Sequence, residues 1–408
     1  MTAASQPSSH AVYFDNNATT PCAQEVVAEM LPYFTQQFGN PSSIHSIGSG
    51  VGPSIQKARA QVQALLGAAH DTEIVFTSGG TESDTTAIYS AIRSLPDRRE
   101  IITSAVEHHA VLTVCEYLEK HEGYKVHVIP VDGKGRLDMD AYEKALSDKV
   151  ALVSIMWANN ETGTIFPIET LAQMAKPHGI LFHTDAVQAV GKIPLRLSNS
   201  AVDMLSLSSH KLHGPKGIGA LYLKRGIKFR PLFRGGHQER GRRAGTENTT
   251  GIVGLGKAAE MALASMADEN TRVRALRDRL EREIVSLIPN SIICGDPESR
   301  LPNTSTIAFE FVEGEAILML LSRAGIAASS GSACTSGSLE PSHVMRAMGI
   351  PFTAAHGATR FSLSRENTDA DVDRVIEVMP GIIEKLRAMS PYWSAQQGGP
   401  ASFAPAYS

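Results

Sequence analysis

Lys211 stands two residues beyond the apolar run "DMLSLSS" (203–209), in the string "SSHKLHGPKG". A lysine in a partly desolvated site loses basicity and can form a Schiff base with an aldehyde. Its plain alternative is a solvated lysine at a strand end, and spacing alone leaves Lys216 equally eligible. Asp185 closes another run, "GILFHTD" (179–185). A carboxylate emerging from a buried strand needs a partner; a protonated ring nitrogen would serve, and so would the free N–H groups of a following helix. His108 and His109, in "AVEHHAV", offer an acid or base near neutral pH and a ring that can stack on another ring, or else ordinary polar surface. "TSGGTES" (77–83) supplies glycines, hydroxyls and then a helical pattern. The N–H groups and dipole of a helix start favour phosphate, although a capped turn would read the same way. The string is neither a Walker loop nor GxGxxG. Taken together, these groups suit a planar aromatic cation carrying a phosphate and an aldehyde, which describes pyridoxal phosphate.

A further candidate is Cys334, in "ASSGSACTSGSLEPS" (328–342). Cysteine is among the residues most often buried, yet its neighbours are small and polar and cannot pack a core. The stretch reads as a mobile loop presenting a thiol, with an incidental surface cysteine as the bland reading. "FRGGHQERGRRAGTEN" (233–248) gathers Arg234, Arg240, Arg242 and Arg243 between glycines. It reads as a solvated loop or as an anion-binding or interface loop. No aromatic platform is interleaved, which argues against nucleic acid.

These residues have to be held by something. Between about 70 and 225, short apolar runs alternate with helical patterns: 73–78, 100–104, 149–157, 179–185, 203–209 and 218–224. Near-continuous apolar strands indicate a parallel sheet covered by helices on both faces. In such sheets ligands bind beyond the carboxyl ends of the strands. The strand exits carry "TSGGTES", "AVEHHAV", "ANNETG", "HTDAVQ" and "SSHKLHGPKG", so one edge would collect every candidate above except Cys334 and the arginine loop. Ahead of the sheet, Ile55, Ala58, Val62 and Leu65 share one helical face, with Gly67 as its stop. After about 265 the pattern changes. A charged helix over 269–288, with Val273, Leu276, Leu280, Ile284 and Leu287 as its stripe, precedes a strand at 304–312, a helix at 314–325, the serine-rich loop, a strand at 358–364 and a helix at 369–389. That describes a smaller α+β unit.

The 408 residues are too many for one simple core. A 42% hydrophobic and 20% charged composition with net charge -4 gives no reason to expect nucleic acid or an anionic membrane as partner. Cys22, Cys115, Cys294 and Cys334 form no CxxC, so neither a zinc site nor a disulfide framework is expected, and a reducing cytoplasmic setting fits. The start, "MTAASQPSSH", lacks the apolar core of a signal peptide, and no apolar run has membrane-spanning length.

Ten strings, in order, resemble the nitrogen-fixation branch of the cysteine desulfurases, a class-V aminotransferase-fold family: "YFDNNATT", "FGNPSSIHSIG", "FTSGGTESD", "VEHHAVL", "WANNETG", "FHTDAVQAVGK", "SHKLHGPKGIGALYL", "GGHQERGRRAGTEN", "SSGSACTSGSLEPSHVMRAMGI" and "TRFSLSR". The resemblance implies an α/β fold of the pyridoxal-phosphate-dependent transferase type (fold type I). A large, mostly parallel seven-stranded domain would span 13–265, its N-terminal segment packing with the small domain. A small α+β domain would span 266–394, with a flexible arm at 1–12 and a disordered tail at 395–408. It implies Lys211 as the Schiff-base lysine and Asp185 as partner of the ring nitrogen, with Gln188 and Asn160 at the ring hydroxyl. His108 would be the stacking proton carrier. Gly80, Thr81, Ser208 and His210 would be phosphate ligands, joined by Thr246 from the other subunit of a homodimer. Arg360, assisted by Asn40 and Asn160, would hold the substrate carboxylate. Cys334 would receive sulfur from L-cysteine and meet metal only transiently, when a persulfide is passed to a cluster on an iron–sulfur scaffold partner. Gly80 replaces the alanine of some relatives, which a phosphate held by backbone N–H groups should tolerate. Housekeeping cluster assembly, selenocysteine lysis or transamination on the same fold, and a catalytically silent scaffold, are the competing expectations.

Overall fold

The computed structural model describes residues 11–330, 340–391 and 393. Residues 1–10 of the expected arm, the whole expected tail 395–408 and the loop 331–339 with Cys334 lie outside the described residues.

The N-terminal strand β1 (Val12–Tyr13) leads to a helix at Gly52–Leu66. That helix ends at Gly67, whose φ of +59° fits the left-handed stop expected from the sequence. Next come β2 (Ile74–Thr77), β3 (Glu100–Ser104), β4 (Lys125–Ile129), β5 (Val150–Ser154), β6 (Leu181–Asp185), β7 (Met204–Ser208) and β8 (Gly219–Leu223). They form one seven-stranded sheet in the order β2-β8-β7-β6-β5-β3-β4. Pairing is parallel from β4 through β7, and only β8 runs against its two neighbours. Residues of β5, β7 and β8 are buried throughout, the signature of a sheet covered on both faces. The chain reverses its direction of travel across the sheet between β3 and β5, the place where open α/β sheets form a crevice.

Beyond the Thr249–Ala264 helix, a helix at Arg274–Leu287 is preceded by a π-helical turn at Glu269–Val273. Val273, Leu276, Leu280 and Ile284 are buried as its stripe predicts, but Leu287 is exposed at the helix end. The antiparallel trio β9 (Ser291–Cys294), β10 (Thr304–Phe309) and β12 (Ala358–Ser362) has β10 at its centre. Strand β11 (Ile326–Ala327) pairs in parallel with β1, and Phe14 packs in the small-domain core with Leu280, Phe309 and Phe361. The chain's start is thus sewn to its end, which brings residues 15–20 between the two sheets.

Candidate active site

The strand exits converge. Asp185, last residue of β6, is buried, and its Oδ1 accepts the Val187 N–H at 2.9 Å. Burial raises its pKa, while Val187 N–H, His108 and Lys211 pull the other way. Such a carboxylate is at its most stable opposite a cation. Lys211 sits on a short 3-10 turn, Ser209–Lys211, directly after β7, and its Nζ donates to Asn17 O at 2.5 Å and Ala18 O at 2.7 Å. His108 caps the His109–Glu122 helix by accepting the Ala110 N–H on Nδ1, which fixes the ring's orientation. Its pKa is lowered by burial first, against the raising effect of Asp185. Gln188, mostly buried, donates Nε2 to Asn17 O at 3.0 Å. The backbone carbonyl of Asn160 accepts Arg360 Nη1 at 2.9 Å.

A cavity of about 500 Å³ opens at the head of the Gly80–Ser94 helix, lined by Gly80, Thr81, Ser208, His210, Glu82 and Lys216 among others. Burial and the neighbouring lysines push the His210 pKa down to about 4, so this ring is neutral. Lys216 is exposed and lines this cavity, while Lys211 turns its Nζ to the carbonyls of Asn17 and Ala18. A Cβ on Gly80 would lie 2.9 Å from Val187 Cγ2, so alanine fits here only if Val187 moves. The donor set fits pyridoxal phosphate: a helix start and hydroxyls for phosphate, a buried carboxylate for the ring nitrogen, an amine within the same crevice.

Arg360, in β12, is 2% exposed, and its Nη2 meets Asp15 Oδ1 at 2.7 Å. Asn40 is exposed, with Oδ1 accepting the Ser42 N–H. Thr246 is exposed and lies outside the cavity lining.

Sequence reasoning passed over the residue that joins these groups. Asn17 is buried; its carbonyl serves Lys211 and Gln188, its Nδ2 donates to Asn160 O and Thr304 Oγ1, and its Oδ1 accepts from Asn303. The signal available was "DNNATT", a polar string without helix or strand period directly after "VYF". Glu107 was also passed over. It is fully buried, its Oε1 accepts Ser104 Oγ at 2.5 Å and Met156 N–H at 2.9 Å, and its Oε2 has no partner among the described residues.

This chain belongs to the class-V aminotransferase family, whose profile matches residues 12–375. Within that class its relatives are cysteine desulfurases. It is 66% identical to the cysteine desulfurase of Gluconacetobacter diazotrophicus, over 98% of this chain and all of the relative. It is 63% identical to the cysteine desulfurase NifS of Azotobacter vinelandii, over 97% of this chain and 99% of the relative. Among solved structures it matches a NifS-like protein at TM-score 0.86 and 38% identity, over 92% of this chain and all of that one. The seven-stranded class-V fold expected from the resemblance is the fold observed.

Proposed function

We propose that this protein is a pyridoxal-phosphate-dependent cysteine desulfurase, converting L-cysteine to L-alanine and carrying the released sulfur as a persulfide on Cys334. The observation that carries the reading is the convergence of Lys211, Asp185 and His108 beside a helix-headed anion cup, in a chain two-thirds identical to a named cysteine desulfurase.

Bound there, pyridoxal phosphate supplies an electron sink for the substrate's Cα electron pair. Gly80, Thr81, Ser208 and His210 would hold its phosphate, and Thr246 of a second copy would complete the cup. Gln188 and Asn160 would hold the ring hydroxyl. The Asp185 carboxylate would keep the ring nitrogen protonated. Lys211 Nζ would anchor the cofactor and then take the Cα proton. Arg360 releases Asp15 in favour of the substrate carboxylate, with Asn160 and Asn40 alongside. Cys334 thiolate attacks the substrate sulfur: an S–S bond forms, the Cβ–S bond breaks, and its electron pair goes to carbon, where His108 manages the proton.

Five large apolar residues left exposed in one segment, Leu31, Phe34, Phe38, Ile44 and Ile47, support a homodimer. The absence of a membrane-length apolar helix among the described residues is compatible with a cytoplasmic enzyme. The persulfide goes to an iron–sulfur scaffold, and the NifS name of the Azotobacter relative favours nitrogenase maturation as its destination.

The test is to incubate the protein with L-cysteine, measure alanine and weigh the peptide holding Cys334. Alanine together with one added sulfur on that peptide is expected. Alanine formation undiminished in Cys334→Ser would remove the thiol from the reaction, and no alanine at all would overturn the assignment.

A further inference from the structure

The anion cup has a carboxylate in its wall. Glu82 lines the cavity with Ser78, Gly80, Thr81 and Ser208. A phosphate monoester carries close to two negative charges near neutral pH, and an uncompensated carboxylate beside it would repel it. Burial by itself would make Glu82 easier to protonate. Its contacts outweigh that, and its pKa lies below the usual range, so the carboxylate is charged.

Two groups deal with the charge. Ser78 donates its N–H to Glu82 Oε2 at 2.8 Å, reaching across the first turn of the helix. Arg243 donates Nε to Oε1 at 3.0 Å and Nη2 to Oε2 at 3.2 Å, a fork that matches the carboxylate on both oxygens. Arg243 belongs to the distant arginine loop, and that loop is gripped at a second point. Glu239 takes Arg59 on both oxygens, at 2.6 and 2.7 Å, and also accepts the Phe76 N–H at 3.1 Å. Glu239 and Arg240 hold left-handed φ values of +49° and +59°, a conformation that costs such residues energy and is retained only where surroundings enforce it. The loop therefore holds the strand entering the phosphate turn through Phe76, and the helix leaving it through Glu82.

We propose that Arg243 is a positioning residue for the cofactor phosphate: it cancels the charge of Glu82 and keeps that carboxylate turned onto Ser78, so that the cup remains attractive to a phosphate monoester. This role rests on the cavity being the phosphate site of the desulfurase. It also gives the arginine loop a task inside its own subunit, three residues before Thr246.

The experiment compares dissociation constants of pyridoxal phosphate and of pyridoxal, which lacks the phosphate, on cofactor-free parent, Arg243→Gln and the double variant Glu82→Gln/Arg243→Gln. Arg243→Gln is expected to weaken pyridoxal phosphate by about tenfold and to leave pyridoxal unchanged. The double variant, having lost both charges, should recover most of that loss and serves as the folding control. Unchanged affinities in Arg243→Gln, an equal loss for both ligands, or a double variant no better than the single one would each overturn the role of Arg243. A parent that binds pyridoxal phosphate no more tightly than pyridoxal would instead overturn the phosphate site itself.

Discussion

Glu107 shows what burial does to a single group next to the chemistry. Burial pushes its pKa from 4.5 up to about 8, against the opposing pull of Ser104 and Met156, and Asp185 adds to the rise. The folded state therefore keeps a proton that the unfolded chain gives up. Stability from this group is fully present below about pH 4.5 and declines as pH climbs toward 8. Glu107→Gln keeps an acceptor for both donors and has no proton to lose. Its amide nitrogen inherits the unpartnered position of Oε2, a cost that does not change with pH. The slope, then, and not the sign of the difference, is diagnostic. Between pH 5 and 8 the stability of Glu107→Gln relative to parent should rise by on the order of 3 kcal/mol. Thermal or urea unfolding of both proteins across that range measures it, and a flat difference would mean that Glu107 is ionised in the fold. Asp185 is raised by the same burial, but His108 and Lys211 pull against that rise, a help from cationic groups that Glu107 does not receive.

At the scale of elements, the Gly79 turn that heads the cavity depends on a strand outside the cavity lining. β8 pairs antiparallel with β2 and β7, and its first residue is Gly219. A Cβ there would stand 2.5 Å from Leu207 O and 2.7 Å from Gly79 Cα, both backbone atoms that cannot swing aside. Gly226, three residues past the end of β8, has open space and a φ of +94°, and it lies outside the cavity lining. Gly219→Ala should therefore displace the Gly79 turn, cost about 2 kcal/mol or more and weaken cofactor retention. Gly226→Ala should cost about 1 kcal/mol and leave retention intact. Chemical denaturation and cofactor release under dilution separate the two, and similar behaviour of both variants would contradict the steric reading.

Elements with this much burial were the ones legible in the sequence. The runs at 100–104, 179–185 and 203–209 announced strands because both faces are covered, so that apolar residues stand side by side in each run instead of alternating with polar ones. "KVHVI" and "SIIC" did not stand out, because β4 and β9 are edge strands, half exposed and short. The site followed the same division. Lys211, Asp185 and His108 could be found because strand exits point to them. Asn17 and Asp15 could not, since their importance comes from the pairing of β1 with β11, a contact between positions some 300 residues apart in the chain.

For the whole molecule, the unanswered surface is the segment from Leu31 to Ile47. Its short helices at Pro32–Thr35 and Ser46–Ser49 leave Phe34, Phe38 and Ile47 more than half exposed and Ile44 99% exposed. Isolated surface hydrophobics need no explanation, but five within seventeen residues are a different matter. The same segment contains Asn40, expected beside the substrate carboxylate yet exposed, its Oδ1 turned back to the Ser42 N–H. Thr246 presents the matching case, an expected phosphate ligand standing outside its own cup. Both are explained together if a second copy of the chain covers the apolar segment and each copy completes the other's site. Carboxylates placed at such a contact cost several kcal/mol of association, because each would be buried without a partner. Phe34→Glu/Phe38→Glu should therefore shift the protein from dimer to monomer in sedimentation at micromolar concentration. Its thermal midpoint should fall and lose its dependence on protein concentration, since association with a second copy stabilises the folded subunit by mass action. The monomer should also bind pyridoxal phosphate more weakly, having lost Thr246 from its neighbour. A double variant that sediments as a dimer would place the subunit contact elsewhere, and a monomer with parent-like cofactor affinity would show that Thr246 does not cross between subunits.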